Sequence, residues 1–271
     1  MIAVDEQILA ADFACYLVET GRVKEAESLL AELEFCGIAS DAARAASLQA
    51  RGRAALEAGD FAKAGDCFGK AARLLPGDGA GHALMLSLRA VALSELARAD
   101  GELPAESESL YRQALSCAAL ARGDRIQFHS SLAMCLAEMG REVDALDEST
   151  RAMQLAEREF GADHPITAAI LSNHATLLPD AEAAPLLRRA LAILDACHQG
   201  MRTSAADVLV NLAAKHCFTS AEEVMGWLDR ALDIYRTNLG SNHRITAKLQ
   251  REIAALLEAA KGSGEITNSH N

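Results

Sequence analysis

The stretch Arg189-Ala190-Leu191-Ala192-Ile193 decides the fold, because versions of it recur along the chain. The other copies are Lys70-Ala71-Ala72-Arg73-Leu74-Leu75, Arg112-Gln113-Ala114-Leu115, Arg151-Ala152-Met153-Gln154-Leu155 and Arg230-Ala231-Leu232-Asp233-Ile234. The shared alanine returns after 43, 38, 38 and 41 residues. A period of this size, with one small residue kept in register, indicates a helical repeat protein and not a globular enzyme core. We therefore predict an all-α fold, a right-handed α-solenoid of antiparallel helix pairs.

Composition and charge exclude several classes of partner. The formal net charge is -12 and no run rich in Lys or Arg occurs, which argues against nucleic acid as a ligand. The first residues, Met1 to Glu6, lack the basic and apolar regions of a signal peptide. No uncharged run approaches the roughly 20 residues of a membrane span. We expect a cytoplasmic protein that binds neither nucleic acid nor a membrane.

A second set of residues fixes the type of repeat. Leu48, Gly52, Gly59-Asp60-Phe61, Ala64, Phe68, Ala71 and Pro76 follow the spacing of a tetratricopeptide repeat, whose period is about 34 residues. In such a repeat Gly52 is small where the first helix (A) crosses the second (B). Phe68 fills the gap to the next repeat, and Pro76 ends helix B.

The second half of the chain resembles a more specific type. Its residues are Glu159-Phe160-Gly161-Ala162-Asp163-His164-Pro165-Ile166-Thr167-Ala168, Leu171-Ser172-Asn173-His174-Ala175 and Leu186-Leu187-Arg188-Arg189-Ala190-Leu191. They resemble the repeats of kinesin light chains, and parts of the pattern return at 208–213 and 238–247. The chain departs from the family where Met201-Arg202-Thr203 replaces Asp-His-Pro, and the turn Leu178-Pro179-Asp180 is short. The resemblance implies a non-catalytic protein–protein interaction module, of a form that looks bacterial.

The repeats divide the chain into one solenoid and a tail. We expect about six helix pairs and a capping helix over 1–260, followed by a disordered polar tail at 261–271. In the third pair the alanine-rich helix A allows several registers, and we favour Ala90 at the crossing with helix B. The N-terminal helix has no polar capping face at Ile8, Leu9, Phe13 and Leu17, so a homodimer through this end is plausible.

The concave face, which helices A should line, is the predicted binding site. Counting from the small crossing residues places these side chains on it: Gln49, Arg53, Gln127, Ser130, Ser131, Met134, Ser172, Asn173, Thr176, Asp207, Asn211, Lys248 and Arg251. Asn173 and Asn211 match the Asn that lines the groove in the kinesin-light-chain family. An amide there can donate to and accept from the backbone of an extended peptide. Alternatively, each Asn bridges neighbouring repeats within the protein.

Two hypotheses of function follow. The first is an adaptor, assembly factor or peptide-sensing regulator without a cofactor, which holds a protein or peptide partner in the groove. The second is a protein that handles a small molecule or cofactor, an enzyme included, with His174, His216 and Cys217 on neighbouring helices A.

Several histidines suggest sites that geometry makes improbable. The pairs Cys197-His198 and His216-Cys217 should lie at opposite edges of the solenoid, about 20 Å apart, which argues against a shared metal. His164 and His243 should be structural residues of turns. Asp163 and Asn242 are then the expected helix N-caps, with Pro165 in the first turn.

Overall fold

The computed structural model describes residues 3–197, 200–215, 220–241 and 243–268, with side chains up to residue 256. Regular structure in these ranges is helical. The helices are α1 (Val4–Glu19), α2 (Val23–Cys36), α3 (Asp41–Ala58), α4 (Phe61–Leu74), α5 (Ala80–Asp100), α6 (Ala105–Leu115), α7 (Arg122–Glu138), α8 (Glu142–Phe160), α9 (Pro165–Thr176), α10 (Asp180–Ala196), α11 (Thr203–Ala214), α12 (Ala221–Leu239) and α13 (Arg244–Asn268). Odd-numbered helices are helices A and even-numbered helices are helices B. The predicted all-α repeat fold is confirmed.

The repeated alanine occupies one buried position in each of the B helices α4, α6, α8, α10 and α12. Ala71, Ala114, Ala152, Ala190 and Ala231 are all completely buried. Because alanine occupies little volume, each B helix can approach the helices beside it closely at this point. The period seen in the sequence is therefore the period of helix packing.

The second helix pair shows why the chain turns where it does. Gly59 has a positive φ of 77° and ends α3, a conformation that glycine adopts without steric cost. The Asp60 carboxylate then caps α4 by accepting from the Lys63 backbone N–H. Phe68 is fully buried, and a Cβ added at Gly52 would lie 2.6 Å from its ring. The expected roles of Gly52 and Phe68 are confirmed.

The third pair has the register that we favoured. The Ser107 hydroxyl on α6 donates to the Ala90 carbonyl on α5 at 3.0 Å, so Ala90 lies at the crossing of these helices. α5 continues beyond this point to Asp100 and ends at Gly101. It therefore presents more than two further turns of helix towards the next repeat.

The aromatic residues of the last repeats belong to the core. Tyr235 is buried, and Trp227 packs against the same cluster, which is formed by helices α9 to α13. Trp227 therefore contributes to the core of the last repeats. None of the described helices is long and apolar enough to cross a membrane.

Two elements differ from expectation. Leu17 on α1 is buried against the following helices and so does not belong to an exposed end, whereas Leu9 and Phe13 are exposed. α13 continues to Asn268, beyond the predicted end near Ala260, despite the low helix propensity of Gly262 and Gly264.

A third difference concerns the cap of α9. His164 is the N-cap, in place of the expected Asp163: its Nδ1 accepts from the Ile166 N–H at 3.1 Å, and its ring stacks on Phe160. The stacking holds the imidazole over the start of the helix, so a carboxylate at the preceding position is not needed. Pro165 occupies the first turn, as expected. Asn242 lies outside the described residues.

Candidate functional site

Two asparagines and two serines form a ladder across neighbouring helices A. Asn173 on α9 donates from Nδ2 to the Ser130 hydroxyl on α7, and Asn211 on α11 donates from Nδ2 to the Ser172 hydroxyl on α9; both bonds are 3.0 Å long. The serines are buried, whereas the asparagines are partly exposed. The bridge between repeats that we considered as an alternative is therefore present.

The ladder leaves part of each amide available. A side-chain amide carries two donors and an acceptor oxygen, and each asparagine uses one donor on a serine. Among the described residues no further side-chain hydrogen bond of Asn173 or Asn211 is formed. A structural role and a binding role are thus compatible in the same side chain.

The ladder is interrupted between α5 and α7. The residue of α7 that corresponds to Asn173 is Ser131, since each lies two positions before an alanine of its helix, Ala133 on α7 and Ala175 on α9. The Ser131 side chain is shorter, and Tyr111 of α6 lines the same cavity wall. A cavity of about 140 Å³ lies at this break, between α5, α7 and α9. Its walls are Val91, Ser94, Glu95, Arg98, Tyr111, Ser130, Ser131, Met134, Cys135, Glu138 and Asn173.

Sequence reasoning found the α7 and α9 walls and missed the α5 wall. Ser130, Ser131, Met134 and Asn173 were predicted and line the cavity together. The α5 residues lie one, four, five and eight positions after Ala90, on one face of the helix. Extending the count beyond Ala90 would have identified them. The predicted groove residues include none from α5, because the alanine-rich sequence of this helix allows several registers.

The mouth of the cavity carries a charged cluster. Arg98 pairs with Glu95 at 2.9 Å and with Glu138 across to α7. Burial alone would lower the pKa of Arg98, but the hydrogen bonds that its guanidinium donates to Glu138 and Glu95 outweigh this effect and raise the pKa. Two carboxylates thus share one guanidinium, which leaves one negative charge uncompensated within the cluster.

The floor of the cavity is polar but unreactive. The Ser94 hydroxyl is buried without a hydrogen bond of normal geometry, beside the Cys135 thiol, which is a weak partner. Burial, with Glu138 and Glu108 nearby, raises the pKa of the Cys135 thiol to about 11. Burial likewise raises the pKa of Tyr111. Both groups are neutral at physiological pH, so the floor offers hydrogen bonds and no nucleophile.

Other predicted groove residues continue the surface of α7, α9 and α11. Gln127 lies one helical turn from Ser131, at 3.5 Å from its hydroxyl. Thr176 bonds the backbone of its own helix. Asp207 is exposed as a residue, but its carboxyl end accepts a bond from Tyr235. Burial of that end raises the pKa of Asp207, although the hydrogen bond opposes the change.

The remaining predicted residues are not part of the cavity. Arg53 is bound by Glu19 of α1 at 2.5 Å, and Gln49 is partly buried beside it on α3. On α13, Lys248 lies 3.8 Å from Glu252, and Arg251 donates to a carbonyl of its own helix. These side chains do not come together as a single charged clamp.

The second helix pair touches the start of α13, the last helix. Glu57, near the end of α3, lies 2.8 Å from His243 and 3.5 Å from Arg244, where α13 begins. His243 accepts from the Ile245 N–H through Nδ1, so Nε2 carries the proton; it lies beside Glu57 Oε2 at ion-pair distance but not in hydrogen-bond geometry. Burial opposes ionisation of Glu57, but the neighbouring His243 and the charge of Arg244 outweigh it and lower the pKa of Glu57. The helices from α3 to α13 thereby close around the concave face.

The histidine of the small-molecule hypothesis faces away from the groove. His174 is buried, and its Nδ1 lies 2.8 Å from the Ser149 hydroxyl on α8; burial lowers its pKa. It is a neutral core residue, so the proposed role in a ligand site is wrong for His174. His198, His216 and Cys217 lie outside the described residues. No three His, Cys, Asp or Glu side chains come together as possible metal ligands in the part of the chain that the structure describes.

Known proteins agree with this geometry. Residues 124–196 match the family model of the tetratricopeptide repeat. No curated protein sequence matches the chain significantly. A solved structure of nearly identical TPR-like repeats of a kinesin light chain from Podosopora anserina is 19% identical, covers 73% of this chain and 99% of its own, and superposes with a TM-score of 0.58.

Two further similar structures are peptide or factor complexes. NprR in complex with its cognate peptide NprX is 15% identical, covers 99% of this chain and 78% of its own, and has a TM-score of 0.65. A Rap protein complexed with Competence and Sporulation Factor is 15% identical, covers 96% of this chain and 88% of its own, and has a TM-score of 0.59. At these identities the likeness establishes a shared fold.

Proposed function

We propose that this chain, a solenoid containing tetratricopeptide repeats, is a non-catalytic interaction module that holds a peptide or partner helix on its concave face. It acts as an adaptor, assembly factor or peptide-sensing regulator in the cytoplasm. The observation that carries the proposal is the asparagine–serine ladder, which fixes two amides at equivalent positions of α9 and α11.

The ladder prepares the amides for binding. Because one donor of each amide is held by a buried serine, the orientation of the side chain is fixed before a ligand arrives. Fewer rotamers are then lost on binding, which favours affinity. The Oδ1 atoms of Asn173 and Asn211 are left to accept from backbone N–H groups of an extended peptide. The peptide and factor complexes of similar solenoids support this proposal.

The test is an affinity pull-down from native lysate with three proteins, read by mass spectrometry. The first is the wild type, the second carries Asn173→Ala with Asn211→Ala, and the third carries Ser130→Ala with Ser172→Ala. The serine variant removes the same two internal bonds and leaves the amides in place, so it is the matched control.

We expect the wild type to capture a partner, the serine variant to capture it more weakly because its amides are no longer held in place, and the asparagine variant to lose it. Loss from both variants together with lower helicity in both would assign the ladder to stability alone. Capture by all three would move the interface away from the ladder and contradict the proposal. Circular dichroism of each protein checks that the helices are intact.

We also propose that α1 forms a homodimer contact. Leu9, Phe13 and Tyr16 are exposed on one side of this helix, and the two aromatic rings stack at 6.1 Å. A Leu9→Glu and Phe13→Glu variant should remain monomeric when the wild type dimerises. Light scattering that shows a monomeric wild type at micromolar concentration would refute this contact.

A further inference from the structure

We infer that the cavity between α5, α7 and α9 is a specificity pocket for one basic side chain, lysine or arginine, of the bound peptide. This inference rests on the proposed function, because the pocket opens beside Asn173 of the ladder. The inference adds to that function the chemical class of one peptide residue that the groove selects.

The hydrogen-bonding groups of the pocket that the protein leaves partly or wholly unsatisfied are mostly acceptors. They are the carboxylates of Glu95 and Glu138, which share the single guanidinium of Arg98, the Oδ1 of Asn173 and the buried Ser94 hydroxyl, which lacks a normal bond. A guanidinium carries five N–H donors, an ammonium carries three, and neither accepts a hydrogen bond. A basic side chain therefore suits this set. An aromatic or aliphatic side chain would offer these acceptors no donor and would remove water from the carboxylates.

The charge of the pocket favours the same occupant. Arg98 is the single cation among the wall residues, against Glu95 and Glu138. Glu102 lines an adjoining cavity of about 260 Å³ with Arg98 and Glu138, and adds a further negative charge close by. The net charge of -12 also attracts cationic segments from a distance.

The arrangement of the cluster lets a cation enter. The side chain of Arg98 is 54% exposed, whereas those of Glu95 and Glu138 are 29% and 30% exposed. Arg98 is thus the outer member, and it can move into water while the carboxylates turn to the new cation. Val91 and Met134 provide apolar walls for the methylene groups of a lysine or arginine stem.

The experiment is selection from a library of random heptapeptides displayed on phage. The baits are the wild type, Glu95→Gln with Glu138→Gln, and the control Glu252→Gln, which changes an exposed carboxylate of α13 away from the pocket. The wild type and the control should enrich lysine or arginine about tenfold at one fixed position of a shared motif. In the double variant Arg98 is the only charged residue left among the walls of the pocket, so the preference at that position should turn to Asp or Glu while the other positions stay the same.

Each other result contradicts either the pocket assignment or the peptide-binding function. A wild-type motif without a basic position would overturn the pocket assignment and leave the groove function standing. A preference for a basic residue that persists in the double variant would also overturn the pocket assignment, because residues other than Glu95 and Glu138 would then cause the preference. If no bait enriches any motif, the peptide-binding function fails, and the pocket assignment fails with it. Thermal melting of the double variant confirms that it is folded.

Discussion

The Nε2 atom of His243 lies 2.8 Å from Oε2 of Glu57, and this contact joins the second helix pair to the start of the last helix, α13. Both side chains are largely withdrawn from water, with 5% and 20% exposure. The turn between α1 and α2 approaches the same region, because a Cβ at Gly21 would overlap the Leu239 carbonyl oxygen. Two separate contacts therefore close the solenoid.

Replacing Glu57 should open the closed form. Glu57→Gln removes the charge that His243 and Arg244 bind, and we expect the free energy of unfolding to fall by roughly 1–3 kcal/mol. The radius of gyration in solution should rise, as measured by small-angle X-ray scattering. Glu252→Gln is the control, because its ion pair with Lys248 is exposed and long, and should change neither quantity. An unchanged radius of gyration in Glu57→Gln would mean that this contact does not hold the solenoid closed.

The effect of Glu57 should disappear in acid. The folded state lowers the pKa of this carboxyl below its ordinary value of 4.5. A lowered pKa contributes stability that is complete above the unfolded value and is lost as the pH falls through the folded value. The difference in unfolding free energy between wild type and Glu57→Gln should therefore shrink as the pH falls below about 4.5. Urea titrations at several pH values on either side of this point measure the difference, and one that grows below it would contradict the assignment.

Gly21 and Gly59 form a matched pair of substitutions. Each has a φ of +77° and ends a helix A with the same pattern of backbone hydrogen bonds. Gly59 has open space around it, whereas Gly21 faces the Leu239 carbonyl. Gly59→Ala should cost about 1–2 kcal/mol for the backbone conformation alone. Gly21→Ala should cost a further 1–3 kcal/mol or so, from crowding against Leu239. Equal losses of stability in urea would show that the two ends do not touch.

Gly52 and Gly226 should respond to alanine with opposite signs. A Cβ at Gly52 would meet the Phe68 ring, so Gly52→Ala should lower the unfolding free energy by about 1–3 kcal/mol. Gly226 lies inside α12 with nothing within 4 Å of the added Cβ. Gly226→Ala should raise the unfolding free energy by about 0.5–1 kcal/mol, because alanine has the higher helix propensity. Thermal melting distinguishes the two, and stabilisation by Gly52→Ala would contradict the packing described for Phe68.

The features of the fold and the site that could be predicted from the sequence are those set by residues one or two repeats apart. The alanine period, Gly52, Phe68 and the serines and asparagines of the ladder all follow from spacing within one or two repeats. The α5 wall was missed because Ala90, Ala92 and Ala97 each offer a register for that helix. The contact of Glu57 with His243 could not be predicted, since it depends on small rotations added over all the intervening repeats.

A solenoid that touches itself has a fixed number of repeats between the two points of contact. Open solenoids lengthen and shorten by duplication or loss of a helix pair, because each repeat contacts only its neighbours. In this chain one pair gained or lost between Glu57 and His243 would carry these residues apart. Homologues of this protein are therefore expected to differ by substitutions within the repeats, while the number of helices from α3 to α13 stays constant.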